Sequence, residues 1–444
     1  MLKFIYSCIV ALFLYVSPAY AAKVAVIGGG AAGVNTAFLT EEAHDVTIYE
    51  AGTSVGGHVK TDLVKVAGQT AVIDAGAEYF NKISYPNLVK LLEYLLIATT
   101  AFTLTVNFFH LNKKQNLVMP PIHDHTIEFN SFRPSNLLKL IQLKWVIYRG
   151  RSILDSKNYS VTLESFLENL ILFRGFKDNF LYPFLAAQWG VSVLDVKNIS
   201  AYQGLKYLIN GNDANNEWLE ATNGLHSYIE ALTSKLSNTN IQTNAAVQSV
   251  IKQDHQYKVT LENGGYELFD HVVFAVNPKI AGKLLENSKG TEALSDTFKK
   301  VHTFPTKIAL AKAEGENMRF LPKENPQVIN IRYDGQNSAL AMYKTWKTKD
   351  DLPAVIKTWV TNDIRADDDK SGPLANDVSI HEFEHVYMDV KYYEAYKAAR
   401  AEEGKNGLWF PGIHEDDSHE GTLNAVINVA RQLAPESRRL GIFA

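Results

Sequence analysis

Cysteine is almost absent from this chain of 444 residues: Cys8 is the only one. Counting alone excludes an internal disulfide, and a chain shortened past Cys8 has no thiol nucleophile, thiolate metal site or thioether link to a cofactor. Charge of one sign is lacking too. Forty-four Lys and Arg face 48 Asp and Glu, a formal net charge of -4, with no basic stripe of the kind a nucleic-acid binder needs. No Pro/Ser/Gly-rich linker, like-charge block or repeat period divides the chain. Long apolar runs are also missing. Phe4–Val16 is 13 uncharged residues, short of the roughly 20 that a membrane span needs.

What is present begins with that run. Lys3 precedes it, Pro18 breaks it, and Ala19-Tyr20-Ala21 has the small-x-small form of a signal peptidase site. This predicts a secretory signal peptide over residues 1–21, cleaved before Ala22, and a periplasmic or secreted protein with no membrane span after cleavage. An uncleaved anchor is the alternative. Hydrophobic residues make up 46% of the chain, enough for a large core and more than one domain. With no linker, those domains are expected to interleave in sequence.

Lys23-Val24-Ala25-Val26-Ile27 is a β-branched run that reads as a buried strand. It leads into Gly28-Gly29-Gly30-Ala31-Ala32-Gly33, a G-x-G-x-x-G fingerprint. Gly28 permits the tight turn, Gly30 lets backbone approach a pyrophosphate, and Gly33 lets the next helix pack on the strand. That helix, expected over Ala31–Glu42, offers its first N–H groups, Ala32 among them, to phosphates. A second strand, Asp45–Tyr49, ends at Glu50, 22 residues after Gly28. An acid there accepts from ribose hydroxyls and repels a 2′-phosphate. Strand, turn, helix and acid predict dinucleotide binding without separating FAD from NAD.

The following Gly56-Gly57-His58-Val59-Lys60-Thr61 completes an E-x(5)-G-G-[H/R]-x-x-T pattern that resembles the flavin amine oxidase superfamily. The variant with His58 is most similar to a bacterial branch of FAD/NAD-binding amine-oxidase-like proteins. The resemblance continues through Val72–Tyr79, where Gly76, Ala77 and Glu78 pass beside the flavin in the family. It also covers Val247, whose backbone meets the adenine, and the strand 272–276. Near the end, Gly407–Gly412 and then His419-Glu420-Gly421 look like the family's closing strand and helix start. The resemblance implies non-covalent FAD, with Gly412, Glu420 and Gly421 near the flavin. It also implies an α/β fold: a glutathione-reductase-like FAD-binding Rossmann domain (22–85, 215–276 and 405–444) interleaved with an α+β substrate domain (86–214 and 277–404).

For the chemistry, the family's lysine near flavin N5 has a positional counterpart in Lys307 of Phe304–Leu310. His419 is a candidate acid or base, or a satisfied loop histidine. The place where amine oxidases carry a cage tyrosine holds Ser418-His419, a departure from amine oxidation. Trp189, Trp218, Tyr343, Trp346 and Trp359 are core residues or alternative aromatic walls. His381-Glu382-Phe383-Glu384-His385 matches H-E-x-x-H, but its β-branched surroundings predict a strand, which cannot bring both histidines to one zinc. Asp367-Asp368-Asp369 reads as a solvated loop, so no metal is expected. Two leucine-rich faces, Leu88–Leu96 and Leu137–Ile141, predict helices in the first inserted segment. The expected function is an exported FAD-dependent oxidoreductase passing a hydride from a small organic substrate to flavin, with reoxidation by oxygen or another acceptor. The alternatives are a desaturase or isomerase on a lipid-like substrate, or a non-catalytic binding protein of the same fold.

Overall fold

The computed structural model describes residues 21–66, 68–210, 217–315, 327–344, 355–360 and 377–444. Residues 1–20 of the expected signal peptide, Trp346 and the Asp367–Asp369 cluster lie outside the described residues.

The chain opens with β1 (Lys23–Ile27), α1 (Ala31–Thr40) and β2 (Asp45–Tyr49). The expected strands are reproduced, and α1 stops at Thr40 with Glu41 as its C-cap. β3 (Thr61–Val66) and β4 (Gln69–Asp74) form an antiparallel hairpin. After it come α2 (Pro86–Tyr94), the pair β5 (Val106–His110) and β6 (Gln115–Met119), and the long α3 (Pro134–Asp155). β7 (Thr239–Gln242) and β8 (His271–Phe274) flank an antiparallel meander (Val247–Gln253, Gln256–Leu261, Tyr266–Phe269). Next are β9 (Thr303–Lys312), β10 (Ile329–Tyr333), β11 (Ser338–Lys344), β12 (Val355–Val360) and β13 (Asp377–Val386). The short β14 (Leu408–Trp409) and α4 (His419–Leu433) close the chain.

Two sheets organise these elements. The first runs β7-β2-β1-β8-β14, every pairing parallel. Helices α1 and α4 pack on each other and cover one face, against Val24, Val26, Val46 and Ile48, while the meander covers the other, with Tyr257, Val259 and Phe269 against Ala25, Ile27 and Tyr49, which is why β1 and β2 are apolar on both faces. Its strands come from widely separated parts of the sequence, as an interleaved cofactor domain requires. The second sheet runs β13-β9-β12-β11-β10-β5-β6. Its far end carries the largest core cluster, with Phe108, Leu117 and Ile331 packed against Val146, Ile147, Leu163 and Leu185 of the helical layer.

The hairpin β3–β4 packs on the near end of this second sheet. Val64, Val66 and Ile73 meet Ile308, Leu310, Val355 and Phe383 in one cluster, so the cofactor-side loop 56–78 is held against β9, β12 and β13. His381–His385 lies within β13. The two histidines are therefore roughly 13 Å apart along an extended strand. His381 instead bonds Asp62 at 2.7 Å.

One expectation about helix faces changes. In α3 the buried side is Leu143, Val146 and Ile147, while Leu137 and Ile141 of the expected apolar face are 39% and 64% exposed.

Candidate active site

At the C-terminal end of β1 the backbone forms a cradle that only glycine permits. Gly28 has φ +101°, and a Cβ on Gly33 would stand 1.9 Å from the Gly28 carbonyl oxygen. Gly30 caps α1 without any side-chain hydrogen bond to the helix, leaving its first N–H groups, including that of Ala32, for an anion. A Cβ on Gly30 would have only the Gly57 backbone nearby, at 3.7 Å, and Gly56 bridges Gly30. The two glycine pairs thus form one smooth floor.

Glu50 stands at the rim. Its carboxylate accepts from the N–H of Gly29 and of Gly52, both at 2.7 Å. These bonds aim it, and each oxygen keeps a lone pair for a ribose hydroxyl. Glu50 N–H donates to Gln242, and Ala245 N–H donates to Glu50. Those contacts carry the chain toward Val247 at the same end of the sheet. An open glycine floor, uncapped helix N–H groups and an oriented acid are the donor set a dinucleotide diphosphate needs.

The segment after β4 continues away from this floor. Ala75 and Ala77 N–H donate to Lys60 and His58 carbonyls, and a Cβ on Gly76 would stand 1.8 Å from His58 O. His58 is exposed, with Phe383 and His385 rings 5.2 and 5.0 Å away. The surrounding protein pushes its imidazole down to about 4, with His385 repelling a second charge. Burial holds His385 at about 4 as well.

From Gly76 and Glu78 a cavity of about 1200 Å3 extends between the second sheet and the helical layer. Its inner end presents Lys357, Asp416, Asp417 and Ser418, and its walls are mainly apolar, with Phe102, Leu104, Phe184, Met342 and Trp359. Trp218 also lines it, so two of the five aromatic candidates are wall residues.

Lys357 is the group that sequence reasoning missed. It is 2% exposed on β12, donates to the Gly76 carbonyl at 3.0 Å and pairs with Glu78 at 2.8 Å. Burial pushes its ammonium down to about 7 while Asp74 pulls the other way; the Glu78 contact acts in the same sense as Asp74. Lys344, fully buried, pairs with the same Glu78. Glu78 is therefore bracketed by two buried lysines.

Lys307 does not reach the cavity. It stands opposite Val360 and Lys357 opposite Leu310, so the two lysines point to opposite faces of the sheet. Lys307 is half exposed and pairs with Glu382 at 2.7 Å on the outer face. Thr306, beside it, is fully buried on the inner side, its hydroxyl without a hydrogen-bond partner.

His419 begins α4, but its Nε2 shares a 2.7 Å hydrogen bond with the hydroxyl of Tyr228. Burial, then the nearby His414, holds it down at about 4. It is thus a neutral, satisfied histidine behind the cavity wall. Glu420 also turns away: its carboxylate accepts from Asn87 and Leu88 N–H and caps α2. Ser418 caps α4 through Gly421 N–H at 2.9 Å. Gly412 closes on β8, where a Cβ would meet Val276 O at 2.3 Å. Asp417 is enclosed by protein mass yet open to the cavity, and burial raises its carboxyl above the usual range, with His414 and His58 opposing.

A family model described as flavin containing amine oxidoreductase matches residues 37–330. Among solved structures, cyclohexylamine oxidase from Brevibacterium oxydans IH-35A superposes with TM-score 0.70 at 15% identity, covering 94% of this chain and 99% of that one. Putrescine oxidase bound to putrescine gives 0.67 at 14%, with coverages of 94% and 99%. A fatty acid isomerase from P. acnes that produces CLA gives 0.65 at 16%, with 92% and 98%. No curated protein sequence matches significantly.

Proposed function

We propose, for a chain that belongs to the flavin containing amine oxidoreductase family, that the substrate is an elongated and largely apolar molecule held in the cavity beyond Gly76. Membership makes the protein an FAD-dependent oxidoreductase. When bound, FAD supplies the two-electron acceptor that no side chain of the site provides. Gly28, Gly30, Gly33, Gly56 and Gly57 would hold its diphosphate, Glu50 its ribose, and His58, Gly76 and Ala77 the flavin end.

The observation that carries the substrate reading is the cavity itself. About 1200 Å3 walled by Phe102, Leu104, Phe184, Met342 and Trp359 is larger and more apolar than a short polar amine calls for. Removing a hydride and a proton from such a substrate leaves the proton to be taken up by the protein. Lys357 Nζ, near neutrality at about 7, is the base facing the cavity. The apolar walls exclude water from the reacting carbon. The fatty acid isomerase among the structural neighbours supports the same substrate class.

A second reading, oxidation of an amine, is favoured by Asp417, whose carboxyl faces the cavity and pairs well with an ammonium. Export through the 1–21 segment belongs to this proposal as well; with Lys3 and no Arg pair, the signal is of the general secretory type, so FAD would be taken up after export. Anaerobic mixing of the purified yellow protein with long-chain fatty acids, long-chain amines and short diamines tests both readings. Bleaching of the flavin band, or turnover without net bleaching, by the long-chain compounds is expected. Bleaching by short diamines alone overturns the proposal.

A further inference from the structure

The apolar face of α3 that the core does not use is an exposed hydrophobic surface next to the cavity. Leu137, Ile141, Trp145 and Tyr148 are 39%, 64%, 40% and 65% exposed, at spacings of four, four and three that place them in one stripe. Just before the helix, Phe129 is 79% and Ile122 60% exposed, and the Asn136 side chain ties the helix start to Asn116 and Asn130 carbonyls.

Leu137 and Ile141 also line the cavity, together with Lys144 and Pro121. Side chains that belong both to the outer surface and to the inner wall mark the mouth. The cavity opens through the apolar patch.

α3 is cationic on this side. Lys144, Arg149 and Arg151 flank the stripe, Lys139 lies on the opposite side of the helix, and the one carboxylate of α3 is Asp155, on a chain whose net charge is -4; Glu217 is an exposed carboxylate elsewhere on the cavity lining. Arg149 lies over the Trp145 ring at 5.3 Å, and Trp145 stacks with Tyr148 at 5.9 Å. Amphipathic aromatics beside cations on an apolar helix face are what an anionic bilayer surface binds. No described helix is long and apolar enough to cross a membrane, so the helix lies on the surface.

The geometry points to α3 as a docking face for an anionic lipid surface, with the cavity mouth opening into it so that substrate enters from the lipid phase. The entry route rests on the apolar-substrate reading above; the docking does not. Trp145 and Tyr148 do not line the cavity, so altering them leaves the substrate wall intact.

The test is co-sedimentation of the FAD-loaded full chain with phosphatidylcholine vesicles containing or lacking one quarter phosphatidylglycerol. Binding to the anionic vesicles is expected to be at least about tenfold tighter than to the neutral ones and to weaken with salt. The double variant W145D/Y148D is expected to lose about tenfold or more of that binding while keeping its flavin spectrum. The proposal is overturned by equal binding to both vesicles, by no binding, or by a double variant that binds as the parent does, as the N-terminal apolar run would produce. Lipid-free dimerisation abolished by W145D/Y148D would overturn it in favour of a second copy. Vesicle binding is read without turnover, so it fails separately from the substrate assignment. That assignment is read by flavin bleaching in detergent.

Discussion

Lys357 donates to the carbonyl of Gly76 across 3.0 Å, which fastens β12 of the second sheet to the loop leaving the cofactor cradle. Glu78, two residues on, accepts from the same ammonium at 2.8 Å. A displaced β12 would therefore move the loop, and a displaced loop would leave two buried lysines without their carboxylate. Cofactor placement and substrate cavity are mechanically one site.

Replacing Lys357 by Met is expected to slow flavin reduction by about two orders of magnitude, the usual scale for a lost general base. The unprotonated amine is the active form, so the parent rate should rise with pH through about 7 and level above it. The variant should lose that limb. Lys307→Met, on the outer face with Glu382, should change the rate less than about twofold. Stopped-flow reduction across pH 5.5–9 checks both.

Gly33→Ala puts a methyl group 1.9 Å from the Gly28 carbonyl oxygen, where only backbone can yield. A cost of about 1–3 kcal/mol is expected from such overpacking, together with loss of bound FAD. Thermal melting and the 450 nm absorbance of the purified variant read the two effects.

Glu50→Gln keeps the shape of the side chain but replaces one acceptor oxygen by a donor, which then faces the N–H of Gly29 or of Gly52 or a ribose hydroxyl. Losing a charged hydrogen bond costs about 1.5–3 kcal/mol, so FAD should bind at least tenfold more weakly. Titration of the apoprotein followed by flavin fluorescence measures it.

Burial holds His385 and His419 near 4, below the ordinary imidazole value. An unfolded chain takes up their protons near pH 6.5 while the native one does not. Stability contributed by the neutral forms is thus present above about pH 6.5 and lost as pH falls toward 4, with a slope of up to about 1.4 kcal/mol per pH unit per histidine. Melting temperatures recorded from pH 7.5 to 4.5 should fall steadily, and less steeply in His419→Gln.

Much of the cradle was legible because its determinants are local. The turn at Gly28, the close packing of Gly33 and the acid ending β2 are set within 28 residues of contiguous chain, and Gly33 answers the Gly28 carbonyl only five residues away. The inward lysine was not legible. Phe304–Leu310 and Val355–Val360 each carry a lysine among apolar residues. Which lysine faces inward depends on how β9 and β12 are registered and on which side of the sheet β3–β4 packs. His419 and Glu420 were read correctly as a helix start, yet their partners, Tyr228 and the N-terminus of α2, are separated from them by 191 and more than 330 residues. The leucines of α3 likewise announced a helix. Only the packing of Leu143, Val146 and Ile147 inward shows that Leu137 and Ile141 face out.

By itself the sequence determined the strand–glycine–helix unit, its acid and the two-sided apolar strands of a parallel sheet, since these follow from φ preferences, close approach and side-chain period within one stretch of chain. Tertiary structure alone decided which lysine faces the cavity, which histidines are silenced by burial and where the cavity opens. Those depend on register and on the face a sheet or helix presents, and neither is encoded in any single segment.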